Sequence, residues 1–171
     1  AKENRSALAS EYDLLCDMDA RGEGLSDSIK EILQVRSQSD GARFGYVEGI
    51  VADIISAQPK YAAAVEAALE GRTDALVVSD TAGFLADEDI QAKLKSRVRV
   101  ICADRIGPFA DSSDMSNQQV ILGRVIEFVD YDIKHAPLVW ELLGRIILTE
   151  TVDDAIRLSG SIGTQYSFVS M

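Results

Sequence analysis

Apolar positions along the chain follow two different spacings, and the change from one to the other marks out the elements. Leu8, Tyr12 and Leu15 step by four and three among polar neighbours, a fragment of a heptad seam within residues 1–20. The pattern stops at Gly22-Glu-Gly24, where two glycines open a turn, and Ser26-Asp-Ser28 supplies caps for a short helix carrying Ile29, Ile32 and Leu33. Residues 34–43 are polar and contain a glycine, which predicts a loop. Residues 46–55 are rich in β-formers but interrupted by Gly49, which reads as a strand with a bulge or a close backbone approach there. Pro59 opens a helix whose buried face is Tyr61, Ala64, Val65, Ala68 and Leu69, and Gly71 ends it. A short strand over 75–78, a helix over about 81–95 and a strand over 98–103 follow. The order then recurs as strand 120–129, helix 136–143, strand 146–148, helix 152–158 and a closing strand 166–169.

That recurrence is written in the residues themselves. Gly49-Ile-Val-Ala-Asp-Ile-Ile returns 74 positions later as Gly123-Arg-Val-Ile-Glu-Phe-Val. A Leu, a Gly and an Arg follow each copy, ending at Gly71-Arg72 and Gly144-Arg145, and each Gly-Arg leads into a β-rich run. Two copies of one unit predict an α+β domain of two similar half-domains about a pseudo-two-fold, since two are too few for a solenoid. The expected boundaries are a coiled-coil stub at 1–22, half-domain I at 23–110, a linker at 111–119 and half-domain II at 120–171.

Composition narrows the function. The net charge is −11, which repels nucleic acid unless cations gather on one face. Lys93, Lys95, Arg97 and Arg99 form one such window, with Arg105 beyond it, and are the candidates for a weak, salt-dependent DNA contact; a solvated helix end running into a strand accounts for the same residues. No apolar run approaches the length of a membrane helix, and residues 1–6 lack the apolar core of a signal peptide, so a soluble, intracellular protein without a membrane partner is expected. Cys16 and Cys102 lie far apart without His or Cys at ligand spacing, so both are expected as reduced thiols.

The runs from Gly49, from Tyr61 to Leu69 and from Ala75 to Asp80 resemble the first half of the hinge domain of structural maintenance of chromosomes (SMC) proteins. Val100-Ile-Cys-Ala-Asp-Arg-Ile, Leu122 to Asp132, Leu142 to Thr149 and Ala155 to Leu158 resemble its second half. The resemblance covers about residues 25–170, and its specificity lies in the joint order of the runs. It implies a dimerisation module that joins two coiled-coil arms of an ATPase and closes a ring used in chromosome condensation, cohesion or segregation. The partner would be a second hinge, from an identical chain or a sister subunit, with DNA met through the whole complex. Cofactors are expected to be none in this fragment, because ATP hydrolysis would sit in distant head domains. The implied location is cytoplasmic and nucleoid-associated, or nuclear in a eukaryote. A glycine-rich segment and a returning arm would follow the last strand in the family, so half-domain II is expected to be truncated.

The closing strand is expected to lie uncovered at the edge of its sheet, so the backbone of residues 165–170 is expected to offer an edge for pairing. Gly144, Ile146, Leu148, Gln165, Tyr166, Ser167, Phe168 and Val169 are the dimer-contact candidates, with Tyr166 and Phe168 expected on one buried face and a proline at Ser167 or Val169 expected to weaken association. The alternative is a small-molecule or metal-binding regulatory domain using Glu127, Asp130, Asp132 and His135, although acids after an alternating strand ordinarily lie on a solvated edge or turn. Neither Gly-Arg pair has the glycine run and Lys-Ser or Lys-Thr of a phosphate loop, and helix termination explains both. Trp140, beside Val139, is expected to pack in the core. Neither catalytic residues nor a metal are expected.

Overall fold

A computed structural model describes residues 25–111 and 120–171. The expected heptad stub, Cys16 and all of the linker after Asp111 lie outside the described residues.

Helix α1 (Asp27–Gln38) begins where expected, with the Ser26 side chain accepting from the Ile29 N–H at 3.4 Å and Asp27 in the first turn. It continues to Gln38, so much of the loop expected over 34–43 is helix. Gln34, Ser37 and Gln38 are exposed on its outer side while Ile29 and Ile32 are buried, and the polar face of a helix has the composition of a loop.

The two expected long strands are each broken by a helical turn. β1 (Val47–Ile50) passes into α2 (Val51–Ile54) and then β2 (Ser56–Ala57). In the second half β5 (Ile121–Arg124) passes into a 3-10 turn (Val125–Phe128) and then β6 (Val129–Asp130). The turns bury Val51, Ile54, Val125 and Ile126, and a short apolar run fits a buried turn as well as a buried strand. β2 and β6 then pair antiparallel with Ser56 opposite Asp130. Those two residues are 74 positions apart, so the local axis relating the repeats passes through this pair.

A 3-10 turn (Pro59–Tyr61) leads into α3 (Ala62–Leu69), which buries Ala64, Val65, Ala68 and Leu69 and ends through left-handed Glu70 and Gly71. β3 (Leu76–Val78) follows. The helix expected over 81–95 is two, α4 (Thr81–Ala86) and α5 (Glu88–Lys93), because Asp87 leaves helical geometry to accept the N–H groups of Asp89 and Ile90 and the Tyr46 hydroxyl at 2.7 Å. β4 (Val100–Cys102) closes the first half. The second half continues through a 3-10 turn (Ile133–His135), α6 (Ala136–Leu143), β7 (Ile146–Thr149), α7 (Val152–Ser159) and β8 (Ser167–Ser170).

The two sheets repeat one another, in the orders β1-β3-β4 and β5-β7-β8. Each has an antiparallel first pair, with a register shift between Val47 and Gly49 or between Ile121 and Gly123, and a parallel second pair. The bulge expected at Gly49 is therefore present in both copies. One core joins the halves, packing Val51, Ile54, Val65 and Val77 with Val125, Val139, Leu143 and Leu148. Leu76 and Val78 point to the other face, where they meet Ile29, Ile32, Val47 and Ile90 in a cluster belonging to the first half alone.

Candidate dimerisation surface

β4 and β8 are each an outer strand of their sheet, opposite β1 and β5, and among the described residues neither has a partner on its far side. Which backbone groups each edge offers follows from the ladder. Ser167 and Met171 donate inward to the carbonyls of Arg145 and Thr149, so with a period of two the N–H and C=O of Phe168 and Ser170 face outward. Leu76 donates to the Arg99 carbonyl, which turns Arg99 and Ile101 inward and leaves Val100 and Cys102 outward. Register makes the edges equivalent, since Leu76 lies opposite Val100 and Ile147 opposite Phe168. Each half thus presents a two-residue pairing edge of the same geometry. This corrects the expected proline positions: Ser167 points into its own sheet, and so does Val169.

The other dimer-contact candidates are distributed as follows. Gln165 and Ser167 are exposed, Phe168 and Val169 are half-buried, and Tyr166 is buried just before β8. Ile146 and Leu148 are buried in the middle strand of the sheet, paired on both sides, so neither offers edge backbone. Gly144 is enclosed as well. A Cβ there would lie 2.5 Å from the Trp140 carbonyl oxygen and 2.8 Å from the Phe109 ring. Trp140 is half-buried and stacks on Phe109 with ring centroids 4.9 Å apart, an edge-of-core position rather than a central one.

Aspartates hold the ends of both outer strands. Asp104, just beyond β4, accepts from the Thr81 N–H at 3.1 Å and from the Thr81 hydroxyl. The hydroxyl bond is the main cause that holds its carboxyl below the usual carboxylate range. Asp111 accepts from the Tyr166 hydroxyl at 2.6 Å and pairs with Arg124 at 2.9 Å, its side chain 6% exposed. The sequence does not mark Asp104 or Asp111, because nothing in it separates an anchoring aspartate from its many solvated neighbours. Cys102, a half-buried free thiol, acquires its place on the edge only through the ladder.

The basic window is partly committed. Lys93 pairs with Glu31, which is held below its ordinary range chiefly by that bond, and Arg99 donates to the Gly71 carbonyl at 2.8 Å. Lys95 and Arg97 stand exposed before β4. The acidic group of the alternative reading does not converge. Glu127 lies over Gly123, Asp132 accepts from the Lys134 N–H at 3.1 Å, and His135 lines a cleft of about 130 Å³ with Glu48 and Lys134. Among the described residues no three His, Cys, Asp or Glu groups are placed to hold a metal.

Comparison with known proteins bears on the family and the fold. The family model described as the SMC proteins flexible hinge domain matches residues 44–159. The chain is 27% identical over 187 residues to the chromosome partition protein Smc of Bacillus subtilis, covering 99% of this chain and 15% of that protein. It is 31% identical over 120 residues to the protein of the same name from Thermoplasma acidophilum, covering 67% of this chain and 10% of the relative. The chain therefore spans only a small part of the relatives' length. In fold it is similar to the SMC hinge domain of Geobacillus stearothermophilus, solved as an asymmetric dimer, with a TM-score of 0.83 at 23% identity over 99% of this chain and 67% of that one. The Pyrococcus furiosus hinge gives a TM-score of 0.64 at 23% identity, covering 94% and 80%.

Proposed function

Because this chain belongs to the SMC hinge family, we propose that it joins two SMC arms by edge-to-edge pairing, β4 of one copy against β8 of the other, within a chromosome-partition complex. The observation that carries this is the pair of equivalent outer strands, each with two outward residues, Val100 and Cys102 or Phe168 and Ser170. Two such edges on one body let a partner close both contacts in a single two-fold arrangement. Charge agrees with unlike edges meeting. Exposed Lys95, Arg97 and Arg99 precede β4, whereas exposed Glu150 and Asp153 follow β7 and open α7, the helix packed on β8. On the same reading, ATP hydrolysis belongs to other parts of the longer protein. DNA contact by this domain is weak and lost with salt, resting on Lys95 and Arg97 with help from Lys93 and Arg99.

Cys102 gives the test. With Cys16→Ser removing the other thiol, cysteines are placed in turn at Ser167, Phe168 and Ser170, and at Ser159 as a control. Mild oxidation is expected to link Cys102 to the β8 cysteines between chains and to leave the Ser159 control unlinked, since paired strands bring Cα atoms within disulfide range. Dimers by equilibrium sedimentation without any β8 crosslink would place the contact elsewhere, and a monomer at all concentrations would end the proposal.

A further inference from the structure

The two edges are equivalent in register but not in how they are held, and the difference lies at the entry to β8. Register puts Ile50 of β1 in the place of Arg124 of β5, and Val98 in the place of Tyr166. In the first half these positions are apolar, with Ile50 buried in a cluster against which Val98 packs. In the second half they carry a cation and a phenol, the Arg124 guanidinium carbon lying 5.8 Å from the centre of the Tyr166 ring. Arg124 also donates to the Gly144 carbonyl, just before β7.

The group that joins them comes from outside both sheets. Asp111 follows β4 by nine positions and belongs to the connection between the halves, yet its carboxylate takes the Tyr166 hydroxyl at 2.6 Å and the Arg124 guanidinium at 2.9 Å. Two residues earlier Phe109 is fixed on the same half, stacked on Trp140 and covered by Arg145 at 5.6 Å from its ring centre. Gly144 leaves the room that this ring occupies. Residues 107–111 therefore run as a strap from the first half to the foot of β8. A charge-assisted bond donated to a nearly buried carboxylate is strong and geometrically demanding, because a misplaced donor leaves the charge unpaired away from water.

We infer that Asp111 is a positioning residue for dimerisation, holding β8 in pairing register through Tyr166 and Arg124, so that the connection between the halves sets one pairing edge, while the aspartate bonds at the end of β4, from Asp104 to Thr81, stay within its own half-domain. This rests on the reading of β8 as a pairing edge. It also assigns Gly144 and Tyr166 to holding the edge in place rather than to contact with the partner.

The experiment uses the whole chain with Asp111→Asn, Asp111→Glu and Tyr166→Phe, each of which keeps most of the packing. Amide exchange of Ser167, Val169 and Met171 in the unassociated protein reads β8 directly, and the Leu76 amide, bonded to the Arg99 carbonyl, reports β4. Loss of one charge-assisted bond is expected to speed exchange in β8 about tenfold or more in Asp111→Asn and Tyr166→Phe. The Leu76 amide should be unchanged, the dimer dissociation constant should rise by a similar factor, and Asp111→Glu should recover part of both effects. Equal acceleration in both sheets would reduce Asp111 to a general stabiliser and overturn the inference, as would unchanged exchange in β8. Should the native chain not self-associate, the pairing reading falls, while the exchange pattern still decides whether Asp111 holds β8.

Discussion

At Gly49 and Gly123 the backbone lies at φ 139° and 152°, a region that side chains rarely enter, and both residues sit at the shifted register of the first strand pair. The copies differ in what an added methyl would meet. At Gly49 the nearest neighbour is the Asp53 carboxylate at 3.7 Å, whereas at Gly123 the Glu127 carboxylate lies at 2.6 Å and the Phe128 ring at 3.2 Å. Gly49→Ala is expected to cost about 1–3 kcal/mol from backbone strain alone, and Gly123→Ala more, because Phe128 must also move. Urea titration of the two variants checks the order. A second residue-scale prediction concerns acid. The Tyr46 hydroxyl, the leading cause, holds the Asp87 carboxyl below its ordinary range, and the N–H groups of Ile90 and Asp89 lower it further against the opposing effect of burial. The folded state thus favours the ionised carboxylate, so this contribution is complete above the unfolded value of about 4 and fades as pH falls through the lower folded value. Asp87→Asn should weaken the protein at neutral pH and flatten the acid limb of its stability profile, as read by urea midpoints across pH.

Among the elements, β8 has the clearest division of labour along its length. Its inward groups complete the sheet and its outward groups, on Phe168 and Ser170, remain for a partner. Ser170→Pro removes an outward donor and should weaken self-association by about tenfold or more while shifting the melting temperature little. Val169→Pro removes an inward donor instead and should destabilise the second sheet itself. Sedimentation and thermal melts on the pair separate the effects, and equal loss of folding in both variants would show that β8 does not divide in this way. The three-residue β4 and the four-residue β8 are also short, which limits pairing with unrelated strands.

The whole molecule is bound together by a core that neither half owns. Val51, Val65 and Val77 from one half close against Val125, Val139 and Leu148 from the other, and the β2–β6 pair adds backbone bonds across the same junction. Half-domain II separated as residues 120–171 would expose the inner faces of α6 and β7 to water, so it is expected to remain unfolded by circular dichroism, and the intact chain to melt in one transition. Two resolved transitions would show that the halves fold independently.

The sequence by itself determined the repeat, the succession of its main strands and helices, the cap at Ser26 and the bulge at Gly49, because each depends on spacing and local chemistry that neighbours in the chain supply. It also carried the family, since the joint order of the runs from Gly49 to Leu158 is specific where no single motif is. Tertiary structure alone decided that the apolar runs at Val51 and Val125 turn as helix, that Cys102 and Ser170 occupy matching outward positions, and that Asp111 reaches Tyr166 and Arg124. A buried turn and a buried strand offer the same apolar side chains, and the side of a strand that faces outward is fixed only by its partner's register. An anchoring aspartate differs from a solvated one by what lies opposite it, 55 positions away in the case of Asp111 and Tyr166.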